Sequence, residues 1–168
     1  MIELHQTIGP AATTISDIAH RAQVGRVTVY RHFPDEPALA CACSGQYLER
    51  NPLPDVEHWR RIPDPEIRLR TALRDAYDYH GANEAMFTHV LADARDHPAM
   101  APYTAYWRQA AEVAASAWRA RGRRRLLLHA GIALALSFDT WRTLVREERL
   151  TDKQAVELMF RLTCDCET

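Results

Sequence analysis

Side chains able to contact nucleic acid are concentrated in one short stretch of the sequence. Residues 22–36 read AQVGRVTVYRHFPDE, and within positions 26–32 five side chains carry hydrogen-bond donors: Arg26, Thr28, Tyr30, Arg31 and His32. Arginine can bind a guanine edge through two hydrogen bonds, and hydroxyl or imidazole groups suit phosphate oxygens. The same pattern also fits an ordinary solvated helix face, so the stretch alone leaves both interpretations open.

Helix signals surround this stretch in the order of a helix-turn-helix unit. Thr14 is the predicted N-cap of a first helix over 14–22, because apolar residues follow it at helical spacing. After a three-residue turn, a second short helix is predicted over 26–32, and Asp35 is the predicted cap of a third helix. We expect three apolar side chains to hold the second helix from inside: Val24, Val29 and Phe33. In such units the second helix enters the DNA major groove.

The order of these residues resembles the helix-turn-helix block of the TetR family of bacterial transcription regulators. The residues that carry the resemblance are Thr14, Ile18, Ala19, Ala22, Val24, Thr28, Tyr30, His32, Phe33 and Leu39. The resemblance rests on this motif in the first 50 residues and only on helix pattern in the remainder of the chain. It implies sequence-specific DNA binding by a transcription regulator.

The resemblance also implies roles for single residues. Thr14 would cap the first motif helix and touch phosphate, and Ser16 would lie where family members often reach a base. Base-reading positions of the second helix would be occupied by Arg26, Val27, Thr28 and Tyr30. Arg31 and His32 would point toward the DNA backbone.

This chain departs from the family pattern at several positions. Gln23 stands at the turn glycine, where a left-handed conformation would cost about 1 kcal/mol, and Gly25 stands at the serine N-cap. Glu36 replaces a lysine that clamps phosphate, which predicts weaker or less salt-dependent binding. Only residues 3–8 could form the family's first helix, so we expect that helix to be truncated or to continue upstream of this sequence.

Composition excludes several classes of protein. The chain has 168 residues, 47% of them hydrophobic, and 21 basic against 22 acidic residues give a net charge of -1, so DNA binding must rest on a local surface. The start lacks a secretion signal and the apolar run 126–138 is too short to span a membrane, which predicts a cytoplasmic protein without a membrane partner. The cysteine pairs Cys41/Cys43 and Cys164/Cys166 lack zinc-site spacing and predict free thiols. No metal, cofactor or catalytic residue is predicted, and an enzyme is not expected.

Strand signals are nearly absent, and capping residues and prolines predict an all-α chain. Residues 1–50 are predicted to form a helix-turn-helix DNA-binding domain, and residues 55–168 a helical effector-binding and dimerisation domain. The later helices are predicted to start near residue 64, to divide near 81–84, and to cover 103–120, 126–147 and 151–164.

By the resemblance, helices of the second domain enclose a mostly apolar cavity for a small effector. The candidate ligand-binding residues are Tyr77, His80, Met86, Phe87, Val90, Trp107, Phe138 and Trp141. His80 or Arg74 could meet the polar end of such a ligand.

The last two predicted helices are apolar on more than one side and therefore need a partner surface. The candidate dimer-interface residues are Ala133, Leu134, Ser137, Thr140, Leu144, Leu158, Met159 and Leu162. The arginine-rich segment 121–125 is interpreted as a solvated loop or as a contact to nucleic acid or an acidic partner.

These features predict a ligand-responsive homodimeric repressor that binds a palindromic operator on double-stranded DNA and leaves it when an effector binds. The alternative is a small-molecule-binding or interaction module of the same fold with weakened or lost DNA binding. The short start and Glu36 favour that alternative.

Overall fold

Helices in this chain begin at the polar residues that the sequence supplies as caps. A computed structural model describes residues 1–165; 75% of the chain is helical, and the described part contains no β-strand, which confirms the all-α prediction. Thr14, Asp35 and Thr151 each accept a hydrogen bond from a main-chain N–H two or three residues into the helix that follows. These bonds satisfy donors that a helix start leaves without intrahelical partners.

Contacts divide the chain into two units. The first, here called the head unit, comprises Met1–Leu53 and Asn83–Pro102. The second, called the helical unit, comprises Pro54–Ala82 and Tyr103–Thr168.

The head unit contains five α-helices and one short 3-10 turn among the described residues. They are α1 (Ile2–Thr7), α2 (Ile15–Arg21), α3 (Arg26–His32), α4 (Glu36–Arg50), α7 (Glu84–Asp93) and the turn Pro98–Met100. The core of α1 to α4 is small: Ile18, Ala19, Val29 and Leu39 are buried, and four partly buried residues pack against them, namely Met1, Leu4, Ile15 and Phe33.

A segment distant in sequence completes the head unit. The helix α7 packs on α1, and the Ala11 N–H donates to Asp93 Oδ2 at 3.1 Å. Tyr47 on α4 donates through its hydroxyl to Asn83 Oδ1 at 2.6 Å and packs edge-on against Phe87. The compact head therefore includes residues beyond the predicted boundary at 50, while the functional division at 1–50 and 55–168 stays a prediction.

The helical unit contains the remaining helices. They are α5 (Val56–Arg60), α6 (Pro65–Ala82), α8 (Ala101–Ala115), α9 (Gly122–Ala135), α10 (Phe138–Arg142), the π-helical turn Thr143–Glu147 and α11 (Asp152–Asp165). Helix α6 packs along α11, and α9 packs on the same helix. Apolar residues at helical spacing, such as Leu69, Leu73, Leu128 and Ile132, are almost fully buried in this unit.

The prediction of one continuous helix over 126–147 is wrong. The helix α9 ends at Ala135, and Ser137 starts α10 by accepting a hydrogen bond from the Thr140 N–H at 3.2 Å. A serine at an N-cap competes with helix continuation, because its hydroxyl satisfies the donors of a new helix start. The predicted helix over 103–120 is also shorter and earlier, spanning Ala101–Ala115.

Arg68 is a buried charged residue that joins three helices of the helical unit. Its guanidinium donates to Ile62 O at 2.6 Å and Arg60 O at 3.1 Å, next to the end of α5. It also donates to Val113 O at 3.1 Å and Ser116 Oγ at 2.8 Å, at the end of α8. Carbonyl groups at helix ends carry partial negative charge, so the buried cation is satisfied by neutral acceptors.

No helix in the described residues is long and apolar enough to cross a membrane. Within the same residues, no group of three or more His, Cys, Asp or Glu side chains could hold a metal ion. Cys41 and Cys43 are free thiols, as predicted, and Cys166 lies outside the described residues.

Candidate nucleic-acid interface

The start of α2 is fixed by a reciprocal pair of hydrogen bonds. The Asp17 N–H donates to Thr14 Oγ1 at 3.2 Å, and the Thr14 N–H donates to Asp17 Oδ2 at 3.0 Å. The Thr14 hydroxyl also donates to that carboxylate, and these bonds lower the pKa of Asp17, so it stays ionised. The predicted N-cap at Thr14 is confirmed, and it forms a capping box with Asp17 that uses both hydrogen-bond donors of Thr14. A phosphate contact by Thr14 would require Asp17 to turn away.

The turn between α2 and α3 carries the strain expected at Gln23. This residue has φ +56°, in the left-handed region, and its N–H donates to His20 O at 3.1 Å. The next N–H, of Val24, donates to Ala19 O at 3.0 Å. This pair of bonds is the Schellman arrangement, which normally places glycine at the left-handed position.

Gly25 does not use the freedom of a glycine. Its φ is -73°, as N-cap of α3, and a Cβ there would meet nothing within 4 Å. Val24, which we expected to point inward, is 41% exposed, because the bond to Ala19 turns the chain outward there.

The helix α3 presents its polar side to solvent. Val29 is buried and Phe33 packs on the head core, as predicted. Val27 is 82% exposed and Tyr30 is 47% exposed. Of the remaining predicted contacts, Ser16 on α2 and Arg26, Arg31 and His32 on α3 are exposed, and Thr28 is half-buried. The exposed residues of α3 thus include two arginines, a tyrosine and a histidine, and α3 has no acidic residue.

Acidic residues border this surface at the start of α4. Asp35 accepts the Ala38 N–H at 2.8 Å as N-cap, and Glu36 is the first helical residue and is exposed. Carboxylates stabilise a helix start through its dipole, but they repel phosphate. Glu36, which departs from the family pattern, thus favours the start of α4, and weaker DNA binding through this residue stays a prediction.

The short first helix packs partly as expected. Leu4 packs against the head core, whereas Ile8 is 46% exposed and Met1 contributes the second apolar contact. Glu3 on α1 forms an ion pair with Arg21 on α2. Both partners of that pair are exposed, so it contributes little stability.

The predicted ligand-binding residues separate into two groups. Tyr77, His80, Trp107, Phe138 and Trp141 belong to the helical unit, where His80 contacts the other four rings at centroid distances of 4.9 to 6.4 Å. Met86, Phe87 and Val90 instead belong to the head unit. These three residues are therefore not part of the aromatic cluster, and their role in ligand binding stays a prediction.

The His80 ring is fully buried in this aromatic cluster. Its Nε2 lies 2.9 Å from Leu136 O and must carry the hydrogen, because a carbonyl oxygen only accepts. Burial lowers the pKa of His80 to about 4, so the ring is neutral near pH 7. His80 Nδ1 and Trp107 Nε1 are buried and have no hydrogen-bond partner among residues 1–165.

The predicted dimer residues also differ in exposure. Ala133, Leu134, Leu158 and Leu162 are exposed, whereas Met159 is 7% exposed and packs inside the unit. Ser137, Thr140 and Leu144 are half-buried, and the first two bond to each other at the start of α10. Two leucines that the prediction omitted, Leu126 and Leu127, are exposed as well. We call the exposed leucines of α9 and α11 the leucine face: Leu126, Leu127, Leu134, Leu158 and Leu162.

Comparison with known families supports the assignment of the head. Residues 2–42 match the family model of the bacterial regulatory proteins of the tetR family. Comparisons with curated proteins and with solved structures returned no match. The match covers α1 to α3 and the first turns of α4, where the exposed helix α3 and its supporting core lie. Residues 2–42 are therefore similar to the helix-turn-helix domain of the bacterial regulatory proteins of the tetR family, a DNA-binding domain.

Proposed function

We propose that this regulator is a cytoplasmic, ligand-responsive homodimer that represses transcription from a palindromic operator. The observation that carries the proposal is the exposed polar surface of α3 on a head that matches the TetR family. A helix of this kind fits the major groove, and two copies related by a two-fold axis fit a palindrome.

The side chains of α3 are suited to different kinds of DNA contact. Arg26 and Arg31 can bind guanine or phosphate, and the exposed Val27 and the Thr28 methyl group suit thymine methyl groups. Tyr30 has an exposed ring and a hydroxyl that can donate to phosphate. Ser16 and His32 flank this set at its two sides.

Dimerisation is supported by the leucine face. Leu126, Leu127 and Leu134 fall within about 100° of one another around α9, which makes a continuous apolar stripe. Leu134 is 61% exposed, and Leu158 and Leu162 extend the exposure to α11, which packs on α9. Contiguous exposed apolar surface of this kind usually marks a protein contact, and a second copy is the simplest partner.

The effector is proposed to bind at the aromatic cluster of the helical unit. His80 Nδ1 can only accept a hydrogen bond in the neutral tautomer, and Trp107 Nε1 can only donate one. An amphipathic molecule with an aromatic or aliphatic body and a neutral hydroxyl would satisfy both atoms. A screen of neutral aromatic alcohols, read as release of DNA, tests this part of the proposal; equal release from wild type and Trp107→Phe would contradict it.

The proposal is tested by binding of the full chain to DNA upstream of its own gene across a salt series. We expect specific binding that weakens steeply with salt, because phosphate contacts release counterions. Undetectable or salt-insensitive binding, also with any upstream residues of the natural gene restored, would favour the alternative of a binding module that has lost DNA recognition.

Two variants separate the functions of the two units. Tyr30→Ala should weaken operator binding by about 100-fold and leave the dimer intact, since Tyr30 lies on the exposed surface of the head. Leu134→Glu should give a monomer by light scattering with an unchanged helix content. Normal operator binding by Tyr30→Ala would contradict the assignment of α3, and a dimeric Leu134→Glu would contradict that of the leucine face.

A further inference from the structure

Exposed arginines are concentrated around the start of α9, and we call this group the arginine patch: Arg119, Arg121, Arg123, Arg124 and Arg125. Five of the 21 basic residues of the chain thus fall between positions 119 and 125, whereas none of the 22 acidic residues lies between positions 113 and 138. Within residues 1–165, no ion pair involves an arginine of the patch. The patch is therefore a local excess of positive charge on a chain whose net charge is -1.

Several other arginines of the helical unit have partners that explain their positions. Arg60 and Arg161 each pair with a glutamate three or four residues earlier on the same helix. Arg68 is buried and donates to carbonyl oxygens at the ends of neighbouring helices. The arginine patch differs from these residues, because its side chains are both exposed and without a paired acid.

The arginine patch does not stabilise the helix on which most of it lies. Arg123, Arg124 and Arg125 belong to the first turn of α9 and not to a loop, and this turn contains no acidic residue. Positive charges at a helix N-terminus oppose the helix dipole, and neighbouring arginines repel one another. Since these side chains are exposed, they also contribute nothing to the core. The patch therefore costs stability that contact with an anionic partner would recover.

We propose that the arginine patch contacts the phosphate backbone of double-stranded DNA, without regard to base sequence. Guanidinium groups bind phosphate through paired hydrogen bonds, and each DNA strand presents a phosphate about every 3.4 Å, a density that suits closely spaced arginines. The choice of DNA rests on the proposed function, but the surface is additional to α3 and lies in the helical unit.

An anionic membrane fits the arginine patch less well than DNA does. Attachment to a membrane surface also uses buried apolar side chains. The exposed apolar side chains that follow the patch on α9, Leu126 and Leu127, belong to the leucine face, which the proposed dimer covers. The charge of the patch is thus the part that remains available to a partner.

The test measures binding of the full chain to a labelled duplex of unrelated sequence, by fluorescence anisotropy across a salt series. Arg123→Gln, Arg124→Gln and Arg125→Gln combined should lower the slope of log affinity against log salt by about two to three, because each phosphate contact contributes about 0.9. The affinity at low salt should fall by about 10-fold to 100-fold. Arg119→Gln, which lies outside the helix, should lower the slope by about one.

The matched control combines Arg108→Gln, Arg142→Gln and Arg149→Gln. These substitutions remove the same charge from exposed positions of the same unit, and the control should leave the salt slope unchanged. An equal decrease in slope in both triple variants would show a general charge effect and overturn the proposal, as would an unchanged slope in the patch variant. The patch variant should unfold thermally at a temperature no lower than wild type, since it removes charges that oppose the dipole of α9.

Two further measurements test other anionic partners. Phosphatidylglycerol vesicles that bind wild type but not the patch variant, with an unchanged DNA slope, would assign the patch to a membrane. Polyaspartate that displaces the duplex at equal charge concentration would assign it to an acidic protein segment. Either result would overturn the proposal.

Failure of this proposal can be told apart from failure of the proposed function. Absence of any DNA binding by wild type would contradict both. DNA binding with a salt slope that does not depend on the patch would contradict the present proposal alone, and leave α3 as the DNA-binding surface.

Discussion

The two units place their polar groups in opposite ways. In the head, four buried residues of α2, α3 and α4 support the helix α3, on which the arginines, tyrosine and histidine are exposed. In the helical unit, His80 and Arg68 are buried and bond to main-chain carbonyls of other segments. The head can therefore meet a partner without rearrangement, whereas the polar groups inside the helical unit become accessible only when its helices move.

The largest expected effect is a loss of stability of the helical unit at low pH. The pKa of His80 is about 4 in the folded chain and near 6.5 when unfolded, so the unfolded state takes up the proton first as pH falls. Stability is complete above about pH 6.5 and should decrease by about 3 kcal/mol toward pH 4. Urea unfolding followed by tryptophan fluorescence would measure this loss, since all four tryptophans belong to the helical unit.

His80→Gln should flatten that pH dependence, because its amide can still donate to Leu136 O but does not titrate in this range. His58→Gln, at an exposed histidine of the same unit, is the control and should behave like wild type. If His80→Gln lost stability with acid as steeply as wild type, the burial of a neutral histidine would not be the cause.

A charge change at the head surface should have a moderate effect on DNA binding. Glu36→Lys removes a repulsive carboxylate beside α3 and should raise DNA affinity by about tenfold at low salt, with a salt slope steeper by about one. Fluorescence anisotropy with labelled DNA at several salt concentrations would measure both.

Glu49→Lys provides the comparison for that substitution. It makes the same charge change at the other end of α4, about 20 Å along the helix from position 36. An equal gain in affinity from both variants would show a general charge effect, and would contradict a phosphate contact at the start of α4.

The smallest expected effect concerns backbone strain in the turn of the head. Gln23→Gly should stabilise the head by about 1 kcal/mol, because glycine adopts the observed φ of +56° at little cost. Hydrogen exchange at the Val29 amide, inside the head core, would report this gain. Gly25→Ala is the control, since φ there is -73°, and it should change protection only slightly; a destabilised Gln23→Gly would contradict the strain.

Features that depend on neighbours along the chain were predictable from sequence. The N-cap at Thr14, the bounds of α3 and the strain at Gln23 all involve hydrogen bonds between residues at most five positions apart. Local bonds of this kind are determined by residue type and spacing, so a motif captures them.

Features that depend on contacts between distant segments were not predictable in the same way. Spacing along α11 does not reveal that Met159 is buried while Leu158 is exposed, because the answer depends on how α6 and α9 pack there. The inclusion of α7 in the head unit also depends on contacts between segments that are distant in sequence.

The hydrogen bonds of Arg68 connect the ends of α5 and α8 in a way that should resist the changes in salt and pH that weaken ordinary ion pairs. The acceptors of Arg68 are carbonyl and hydroxyl oxygens, which do not titrate, and its guanidinium is shielded from dissolved ions by burial. An arginine stays protonated throughout the physiological range even where burial lowers its pKa. The ends of α5 and α8 should thus stay joined in salt and mild acid, providing a fixed reference against which movements elsewhere in the unit can be measured.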